Sequence, residues 1–358
     1  MRVGLLASTG KHLDSFFPDI VKGLEEQNVT IFAASGSATS KVVAESIAGM
    51  TQSPGWSNLR AARALRQWVA RRDLDVVVTN TATASAVVRL ARVGVPVVYF
   101  CHGLHWNTGR LPKERVWEFL ERSLLRFTDG IITINSDDHR WFAKHAPALP
   151  LLRLESGVGV PGVYLRDQVH QIPEHPLRIL WIGDFSSRKR PLLAVELANQ
   201  LTAAGVDYRL TMLGDGPLQD EVRREVAKLG LDDSVELAGR VESSLGWLDQ
   251  SHVLVHTSLW EGLPRVLLES AARHRLAIAF DVKGVRDVPG VRLVTDGDVV
   301  GLRNALAECR EGLGRCFDVA KSPTVAESHA VGHSLAEFLL GTYGISTTTI
   351  RAKEGFHV

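Results

Sequence analysis

The fold of this chain is indicated most clearly by residues 252–269, which read HVLVHTSLWEGLPRVLLE. The apolar run at 252–256 predicts a buried strand. Pro264 predicts the start of a helix over 264–273, because the first helical position tolerates the missing N–H of proline. A strand, a short polar loop and a helix in this order form the unit from which parallel α/β sheets are built.

The same unit recurs along both halves of the chain. Strands are predicted at 2–8, 29–34, 75–79, 95–101, 130–134, 178–182, 208–213, 235–238, 252–256 and 277–280. Helices are predicted at 12–27 (kinked or shortened by Pro18), 59–72, 82–93, 112–127, 191–204, 217–229, 264–273 and 298–311. Glycines and prolines within 157–176 predict a linker. We therefore predict an α/β chain of two Rossmann-like domains, 1–164 and 165–324, and a last helix at about 325–343 that is compatible with either domain, including packing back on the first.

Composition excludes several classes of protein. The 358 residues carry 41 Lys and Arg against 40 Asp and Glu, and 45% are apolar, which is ordinary for a folded globular protein and argues against a nucleic-acid partner. The charge is nevertheless uneven, with a net of +5 in residues 1–160 and −4 in residues 161–358. No leader-like segment and no apolar run near 20 residues is visible, so we expect a cytoplasmic protein, with a peripheral place on the inner face of the membrane left open.

Metal-binding patterns are missing from the sequence. The cysteines Cys101, Cys309 and Cys316 have no framework spacing, and no His-Glu-x-x-His motif occurs. His102 and His105 are spaced as two ligands could be, but no third ligand lies near them in the sequence. The sequence therefore predicts neither a disulfide scaffold nor a metal site.

The loop and helix start at 261–269 are a candidate binding site. Glu261 falls in the predicted loop and Glu269 one to two turns into the helix. The backbone N–H groups of Gly262 and Leu263 precede a helix start, where an anion or a sugar hydroxyl can bind. From these residues alone, a helix-dipole role for Glu261 and a solvated position for Glu269 are equally good interpretations.

A second candidate is the basic run that follows the strand at 178–182. After Gly183 come Arg188, Lys189 and Arg190, at the start of a predicted helix. Cations are unfavourable at the positive end of a helix unless an anion such as a diphosphate binds there. We favour the anion-binding interpretation over a solvated basic turn. The glycine turns at 213–217 and at Gly239, each after a strand, are weak signals taken singly.

Taken in order, these segments resemble the family-4 glycosyltransferases of the GT-B fold. The matching run comprises Gly183 to Lys189, then Gly214-Asp-Gly-Pro217, then Gly239 and Val241, then Ser258 to Glu269. The segments 99–105, 129–138 and 156–160 also resemble the bacterial surface-polysaccharide members. The resemblance covers nearly the whole chain and implies two domains whose parallel sheets face each other across a cleft.

The resemblance also implies an activity. It is a retaining, metal-independent transfer of a hexose or N-acetylhexosamine from a nucleotide sugar, expected to be UDP-linked, to an acceptor hydroxyl. The expected acceptor is a lipid-linked saccharide of surface polysaccharide or glycan assembly, and no cofactor is implied. A soluble natural product as acceptor is an open alternative.

Roles of individual residues follow from the same resemblance. Lys189, with Arg188 or Arg190, would hold the diphosphate, helped by backbone groups at Gly10, Gly262 and Leu263. Glu269 would accept hydrogen bonds from the ribose hydroxyls, and the base would lie near Gly239 and Val241. The two residues expected at the reacting sugar are Glu261, which would bind its hydroxyls, and His102, which without the resemblance reads as a histidine at the edge of the core.

One position departs from the family pattern. Asp184 stands after Gly183, where the family usually has an arginine that binds diphosphate, and a carboxylate there would repel phosphate. Arg188 or Arg190 could replace that arginine. An inactive sugar-nucleotide-binding subunit is a further alternative.

Two predicted helices of the first half are rich in arginine and also carry aromatic residues, at 59–72 and 112–127. Basic amphipathic helices with aromatic side chains can lie on an anionic membrane surface. A solvated face with ion pairs such as Glu118 with Arg122 is the competing interpretation. The resemblance favours the membrane, because the related enzymes use polyprenyl-linked acceptors.

Overall fold

The computed structural model describes residues 1–52, 55–106, 112–166, 172–173, 175–311 and 325–354. The chain divides into two compact units, Met1–Pro161 with Ala326–Val358, and Gly162–Val325. Each is an α/β unit around a parallel sheet. Among the described residues, no helix combines the length and the apolarity that a membrane crossing requires.

The first unit contains a sheet of order β3-β2-β1-β4-β5-β6-β7. Its strands are β1 Arg2–Ala7, β2 Thr30–Ser35, β3 Ala44–Ser46, β4 Val76–Thr79, β5 Val97–Cys101, β6 Gly130–Thr133 and β7 Leu151–Arg153. Its helices are α1 Gly10–Phe16, α2 Pro18–Glu26, α3 Ser57–Arg72, α4 Ala82–Ala91, α5 Pro112–Leu124, α6 Ser136–His145 and, at the end of the chain, α12 Ser328–Glu354. A 3₁₀ helix, Leu125–Phe127, follows α5.

The second unit contains a sheet of order β10-β9-β8-β11-β12-β13. Its strands are β8 Leu177–Ile182, β9 Tyr208–Leu213, β10 Val235–Gly239, β11 Val253–His256, β12 Leu276–Phe280 and β13 Val291–Val294. Its helices are α7 Pro191–Ala203, α8 Gln219–Lys228, α9 Leu245–Asp249, α10 Arg265–Ala272 and α11 Val299–Glu311. Because all the strands are parallel, the loops after β8 and β11 leave the sheet at the same edge.

Apolar strands buried on both faces explain both sheets. All residues of β4, β5 and β11 are buried. In the first unit Trp68 of α3 is fully buried, and it packs where Gly4 of β1 leaves no side chain in its way. Continuous apolar strands of this kind require helices on both sides of the sheet, as the sequence predicts.

The predicted strands and helices are present, and they differ from the prediction mainly in the residues at which they begin and end. Pro18 divides the predicted helix at 12–27 into α1 and α2, because proline lacks the N–H that an unbroken helix would use. Pro191 is the first residue of α7, as expected. Pro264 instead lies one residue before α10, with extended backbone, and α8 begins two residues after Pro217. The elements that were not predicted include the short β3, β7, β13 and α9 and the ten-residue helix α6.

The boundary between the units lies at Pro161 rather than at residue 164. Residues Gly162–Tyr164 form a 3₁₀ helix that belongs to the second unit. The buried Tyr164 explains this placement, since its hydroxyl lies 2.9 Å from the Ser244 hydroxyl of that unit. At the other end of the unit the chain returns to the first one, where α12 packs on α2.

Close backbone contact at Gly214 gives a testable consequence. Gly214 has φ +131°, and a Cβ there would overlap the Gly183 carbonyl, so the loops after β8 and β9 pack directly on each other. We expect Gly214→Ala to lower the free energy of unfolding by about 1–3 kcal/mol, because both the backbone conformation and the overlap oppose a side chain. Chemical denaturation measures the change.

Gly246→Ala is the matched control for Gly214→Ala. Gly246 lies in α9 and a Cβ there would meet nothing within 4 Å, so alanine should be neutral or slightly stabilising. Equal effects of the two substitutions would contradict the close contact at Gly214.

Candidate functional site

The loops after β8 and β11 bring a cluster of charged side chains together. Lys189 Nζ lies 2.6 Å from Glu261 Oε1, and Arg188 Nη1 lies 2.6 Å from Glu261 Oε2. The Ser258 hydroxyl donates to Glu261 Oε1 at 2.7 Å. The sequence analysis placed Arg188 and Lys189 in one motif and Glu261 in another, and the fold joins all three in one ion-pair network.

The electrostatics of this network keep Glu261 ionised. Burial alone would raise the pKa of Glu261, but Lys189, His256 and Arg188 together hold that pKa well below its usual range. His256, at the end of β11, has its Nε2 atom 3.4 Å from Glu261 Oε1, and burial lowers the pKa of this imidazole. The cluster thus combines two cations with one buried carboxylate.

Arg190 is engaged differently from its two neighbours. Its guanidinium donates to the Thr257 and Ser258 carbonyls at 2.7 and 2.8 Å and pairs with Asp296 at 2.5 Å. These contacts tie the start of α7 to the end of β11. Arg190 therefore holds the two loops together, and the cations that converge on Glu261 are Arg188 and Lys189.

Asp184 lies beside the cluster and is more than half exposed, with Oδ1 3.6 Å from the Arg188 guanidinium. Gly183 precedes Asp184 and packs against Lys189, since a Cβ on this glycine would lie 3.3 Å from the lysine side chain. Arg188 therefore lies close enough to Asp184 to offset its negative charge. Its role in place of the arginine of the family pattern stays a prediction.

Glu269 lies in a separate buried polar group. Its Oε2 accepts the Ser244 hydroxyl at 2.9 Å, and its Oε1 lies 3.1 Å from Arg265 Nε. Burial raises the pKa of Glu269, although Arg265 and Ser244 act in the opposite direction. Glu269 is therefore a buried acceptor on α10 rather than a solvated residue of its exposed face.

The backbone groups named from the sequence also have positions. Gly262 and Leu263 lie between Glu261 and Pro264, in a loop fixed by the bond from Glu261 N to the Lys283 carbonyl at 3.0 Å. Gly239 ends β10 with φ +73° and accepts the Gly214 N–H at 2.7 Å. Val241, two residues later, is partly buried.

The first unit has its own group of residues at the ends of β1 and β5. His102 follows β5, its ring stacks on Phe100 at 4.2 Å and meets the His12 ring edge-on at 4.7 Å. Burial, together with the His12 charge, lowers the pKa of His102 well below its usual range, and burial lowers the pKa of His12 to about 4. Both imidazoles are therefore neutral at pH 7.

Gly10 opens α1 in this unit. Its N–H donates to the Ser37 hydroxyl at 2.9 Å, and a Cβ there would overlap the Ala38 carbonyl. The glycine is thus required for close packing, and its N–H already has a partner. The roles proposed for Gly10 and His102 toward a donor stay predictions.

Three polar residues of the site were not given roles from the sequence, namely Ser244, His256 and Ser258. Ser244 and Glu269 are 25 positions apart and meet only through the fold. His256 ends a predicted strand, and the last residue of a parallel strand often faces a site. That position was the available signal for His256.

Two family profiles match the chain. Residues 176–311 match the profile described as glycosyl transferases group 1, and residues 18–151 match the glycosyl transferase 4-like domain. The first match contains the whole Arg188–Lys189–Glu261 cluster together with Glu269. The second contains His102.

Individual proteins agree with the profiles. The chain is 26% identical over 212 residues to the Campylobacter jejuni GalNAc-alpha-(1->4)-GalNAc-alpha-(1->3)-diNAcBac-PP-undecaprenol alpha-1,4-N-acetyl-D-galactosaminyltransferase, covering 58% of this chain and 55% of that enzyme. It is 22% identical to the Escherichia coli UDP-Gal:alpha-D-GlcNAc-diphosphoundecaprenol alpha-1,3-galactosyltransferase, over 63% of each chain. The matched region thus spans less than two thirds of either relative.

A solved structure agrees over a longer range. Anabaena Alr3699/HepE in complex with UDP superposes with a TM-score of 0.71 at 16% identity, covering 98% of this chain and 100% of that one. This likeness establishes the fold, and the profiles establish the relationship. The chain belongs to the group 1 glycosyltransferases, the family-4 members of the GT-B fold.

Proposed function

We propose that this protein transfers a hexose or N-acetylhexosamine from a UDP-sugar to an acceptor hydroxyl, with retention at the anomeric carbon and without a metal. The observation that carries the proposal is the Arg188–Lys189–Glu261 cluster, which lies within the segment that matches the group 1 profile. The Escherichia coli relative is named for a UDP-sugar, and the Anabaena structure contains UDP.

The chemistry of the leaving group explains why two cations are needed. Breaking the bond between the sugar and UDP leaves negative charge on the β-phosphate, which preorganised donors must stabilise. Lys189 is held in place by Glu261 at 2.6 Å, so it meets this charge without reorganising. Arg188 is the second donor and also balances Asp184.

The remaining polar groups suit the rest of a UDP-sugar. Glu261 offers carboxylate oxygens to sugar hydroxyls, and Ser258 and Lys189 fix its orientation. Glu269 offers a buried acceptor for the ribose hydroxyls, with Ser244 holding it in place. The turn from Gly239 to Val241 provides backbone groups for the base.

For the acceptor we propose a saccharide carried on a polyprenyl diphosphate. Both enzymes compared above are named for undecaprenol-linked diphosphate saccharides. Such an acceptor lies in a membrane, so the protein must reach a lipid surface. The first unit carries a helix suited to that purpose.

Helix α5 presents an inverted pattern of side chains. Glu114 and Glu121 are buried, and Glu118 accepts the Trp141 indole N–H at 3.0 Å. Four apolar residues of the helix are instead exposed, by 41 to 69% of their surface, namely Val116, Trp117, Phe119 and Leu120. Arg115 and Arg122 are exposed on the same helix.

An anionic bilayer is the occupant that this face fits. Aromatic and aliphatic side chains enter the boundary between headgroups and acyl chains, and each adjacent cation adds about 1 kcal/mol on an anionic surface. A helix that exposes its apolar residues and buries its carboxylates has the opposite arrangement from a solvated surface helix. We therefore propose α5 as the contact with the membrane.

Charge substitutions on α5 test the membrane contact. Trp117→Glu with Phe119→Glu should weaken sedimentation with phosphatidylglycerol vesicles by at least about 10-fold, because apolar burial is lost and repulsion is added. Binding of the unaltered protein should also fall with rising salt. Val300→Glu, on the exposed side of α11, is the control and should bind as before. Equal binding by both variants, or no binding by the unaltered protein at low salt, would refute the contact.

Thermal shift with a panel of nucleotides and nucleotide sugars tests the donor proposal. A ligand present at 100 times its Kd should stabilise the chain by about 2.7 kcal/mol. We expect UDP and one or more UDP-sugars to do so, and adenine and guanine nucleotides not to. No stabilisation by any member of the panel would overturn the proposal.

Asp184→Arg distinguishes an ordinary donor site from an altered one. If arginine at this position tightens UDP binding and keeps activity, the site is of the usual family type and Asp184 merely weakens it. If it abolishes activity while UDP still binds, Asp184 has a role of its own. An inactive subunit would bind UDP-sugars and show no transfer with either residue.

A further inference from the structure

A histidine pair and a carboxylate meet where the last helix packs on the first unit. His329 and His333 lie four residues apart in the first turns of α12, so their rings share one face of the helix. Glu26 is the last residue of α2. The sequence pattern indicated no metal site, because 307 positions separate Glu26 from His333 and only the fold unites them.

The three side chains converge on one point. His329 Nε2 lies 2.9 Å and His333 Nε2 lies 3.2 Å from the same Glu26 oxygen, Oε2. One ligand atom from each residue falls within 4.8 Å of the other two. Ligands bound at about 2.0–2.1 Å in tetrahedral geometry are about 3.3 Å apart, so the atoms need only small movements to bind one ion.

The backbone around the cluster holds this geometry. Gly23 of α2 faces the His329 carbonyl, and Gly332 of α12 faces the Ile20 carbonyl, so closely that a Cβ on either glycine would overlap its neighbour. His329 and His333 flank Gly332, and Glu26 lies one turn after Gly23. The crossing of the two helices therefore fixes the distance between the imidazoles and the carboxylate.

The chemistry of the set favours one class of cation. Two imidazoles with one carboxylate suit zinc and neighbouring transition metals, whereas calcium and magnesium prefer oxygen ligands. The side chains are 31 to 57% exposed, so an ion can enter from solvent and complete its coordination with water.

We propose that Glu26, His329 and His333 form a binding site for a divalent transition-metal ion, with zinc as the best fit. The ion would link α2 to α12 and so fasten the last helix to the first unit. The site takes no part in the transfer reaction proposed above, and it stands or falls independently of that reaction.

Calorimetric titration of the full chain with zinc chloride tests the site. One ion per chain should bind and raise the melting temperature, while calcium at the same concentration should do neither. Glu26→Gln and His333→Ala should each weaken zinc binding by at least about 10–100-fold. A loss of this size is typical even when the replaced residue only hydrogen-bonds to a metal ligand. His175→Ala removes an exposed histidine elsewhere and should bind zinc normally.

Cobalt provides a second readout that does not depend on stability. Cobalt bound to the unaltered chain should give the visible absorption of a nitrogen- and oxygen-ligated ion, and His329→Ala should abolish it. The proposal is overturned if zinc does not bind, or if Glu26→Gln and His333→Ala bind one equivalent as tightly as the unaltered chain. Because all three side chains are at the surface, these variants are expected to fold.

Discussion

Replacing Lys189 with alanine should lower kcat/KM for sugar transfer by about 10²–10³-fold, the loss typical of removing one preorganised donor from a developing oxyanion. Lys189 is nearly buried and its ammonium is fixed 2.6 Å from Glu261. The alanine variant loses the charge and leaves Glu261 paired with Arg188. Initial rates measured at several UDP-sugar concentrations give the change.

Lys228→Ala is the control for this experiment. Lys228 is an exposed residue of α8 that pairs with Glu225 at 3.0 Å, so its removal should leave kcat/KM unchanged. A fall in the melting temperature large enough to unfold Lys189→Ala would explain a loss of activity by other means, so both variants are compared by thermal melting. If folded Lys189→Ala retained full activity, Lys189 would have no part in the reaction.

Replacing Glu121 with alanine should lower the free energy of unfolding by about 3–5 kcal/mol. Glu121 Oε1 lies 2.6 Å from Arg89 Nη1, and Arg89 is 1% exposed. Removing the carboxylate would leave a buried guanidinium without its partner, which costs more than the pair itself contributes. The pair joins α4 to α5, so the loss should also loosen the helix proposed to contact the membrane. Chemical denaturation followed by tryptophan fluorescence measures the effect.

Two further variants serve as controls for Glu121→Ala. Glu225→Ala removes an exposed i,i+3 pair and should change stability by less than about 1 kcal/mol. Arg89→Met combined with Glu121→Leu replaces both charges with apolar groups and should recover most of the loss, because no buried charge remains. A loss below 1 kcal/mol for Glu121→Ala would show that Arg89 finds other partners.

The fold could be predicted because its signals are local and repeated. Each of the ten predicted strands is present, with ends that differ by two residues at most, since continuous apolar runs between helices have few other interpretations. The segments β3 and β7 were missed because three residues carry too little pattern. The helix α6 was missed although Asn135 caps it by accepting the Asp138 N–H at 2.8 Å.

The candidate site could be predicted only in part. Lys189 and Glu261 each stood out in a motif, but 72 positions separate them, and their direct pairing depends on the parallel order of β8 and β11. Arg190 shows that a cation at a helix start does not by itself indicate an anion-binding site. Its guanidinium is satisfied by two carbonyls and Asp296, so a basic residue at a helix start can be stabilised by the protein itself.

The sequence also could not predict which face of α5 points into the protein. Its pattern of glutamates, arginines and aromatics is compatible with either face pointing inward. Arg89, 32 positions before Glu121, determines the orientation of α5, because it pairs with Glu121 in the interior. The exposed apolar face is the consequence.

Acceptor-dependent release of UDP is the direct test of the proposed sugar transfer. The purified protein is mixed with a panel of UDP-hexoses and UDP-N-acetylhexosamines, with and without a lipid extract of the native membranes, and UDP is measured over time. We predict release from at least one donor that requires the lipid extract and is lost in Lys189→Ala. If every donor that binds is left intact in the presence of the extract, the protein binds sugar nucleotides without transferring them, and the proposed transfer reaction is wrong.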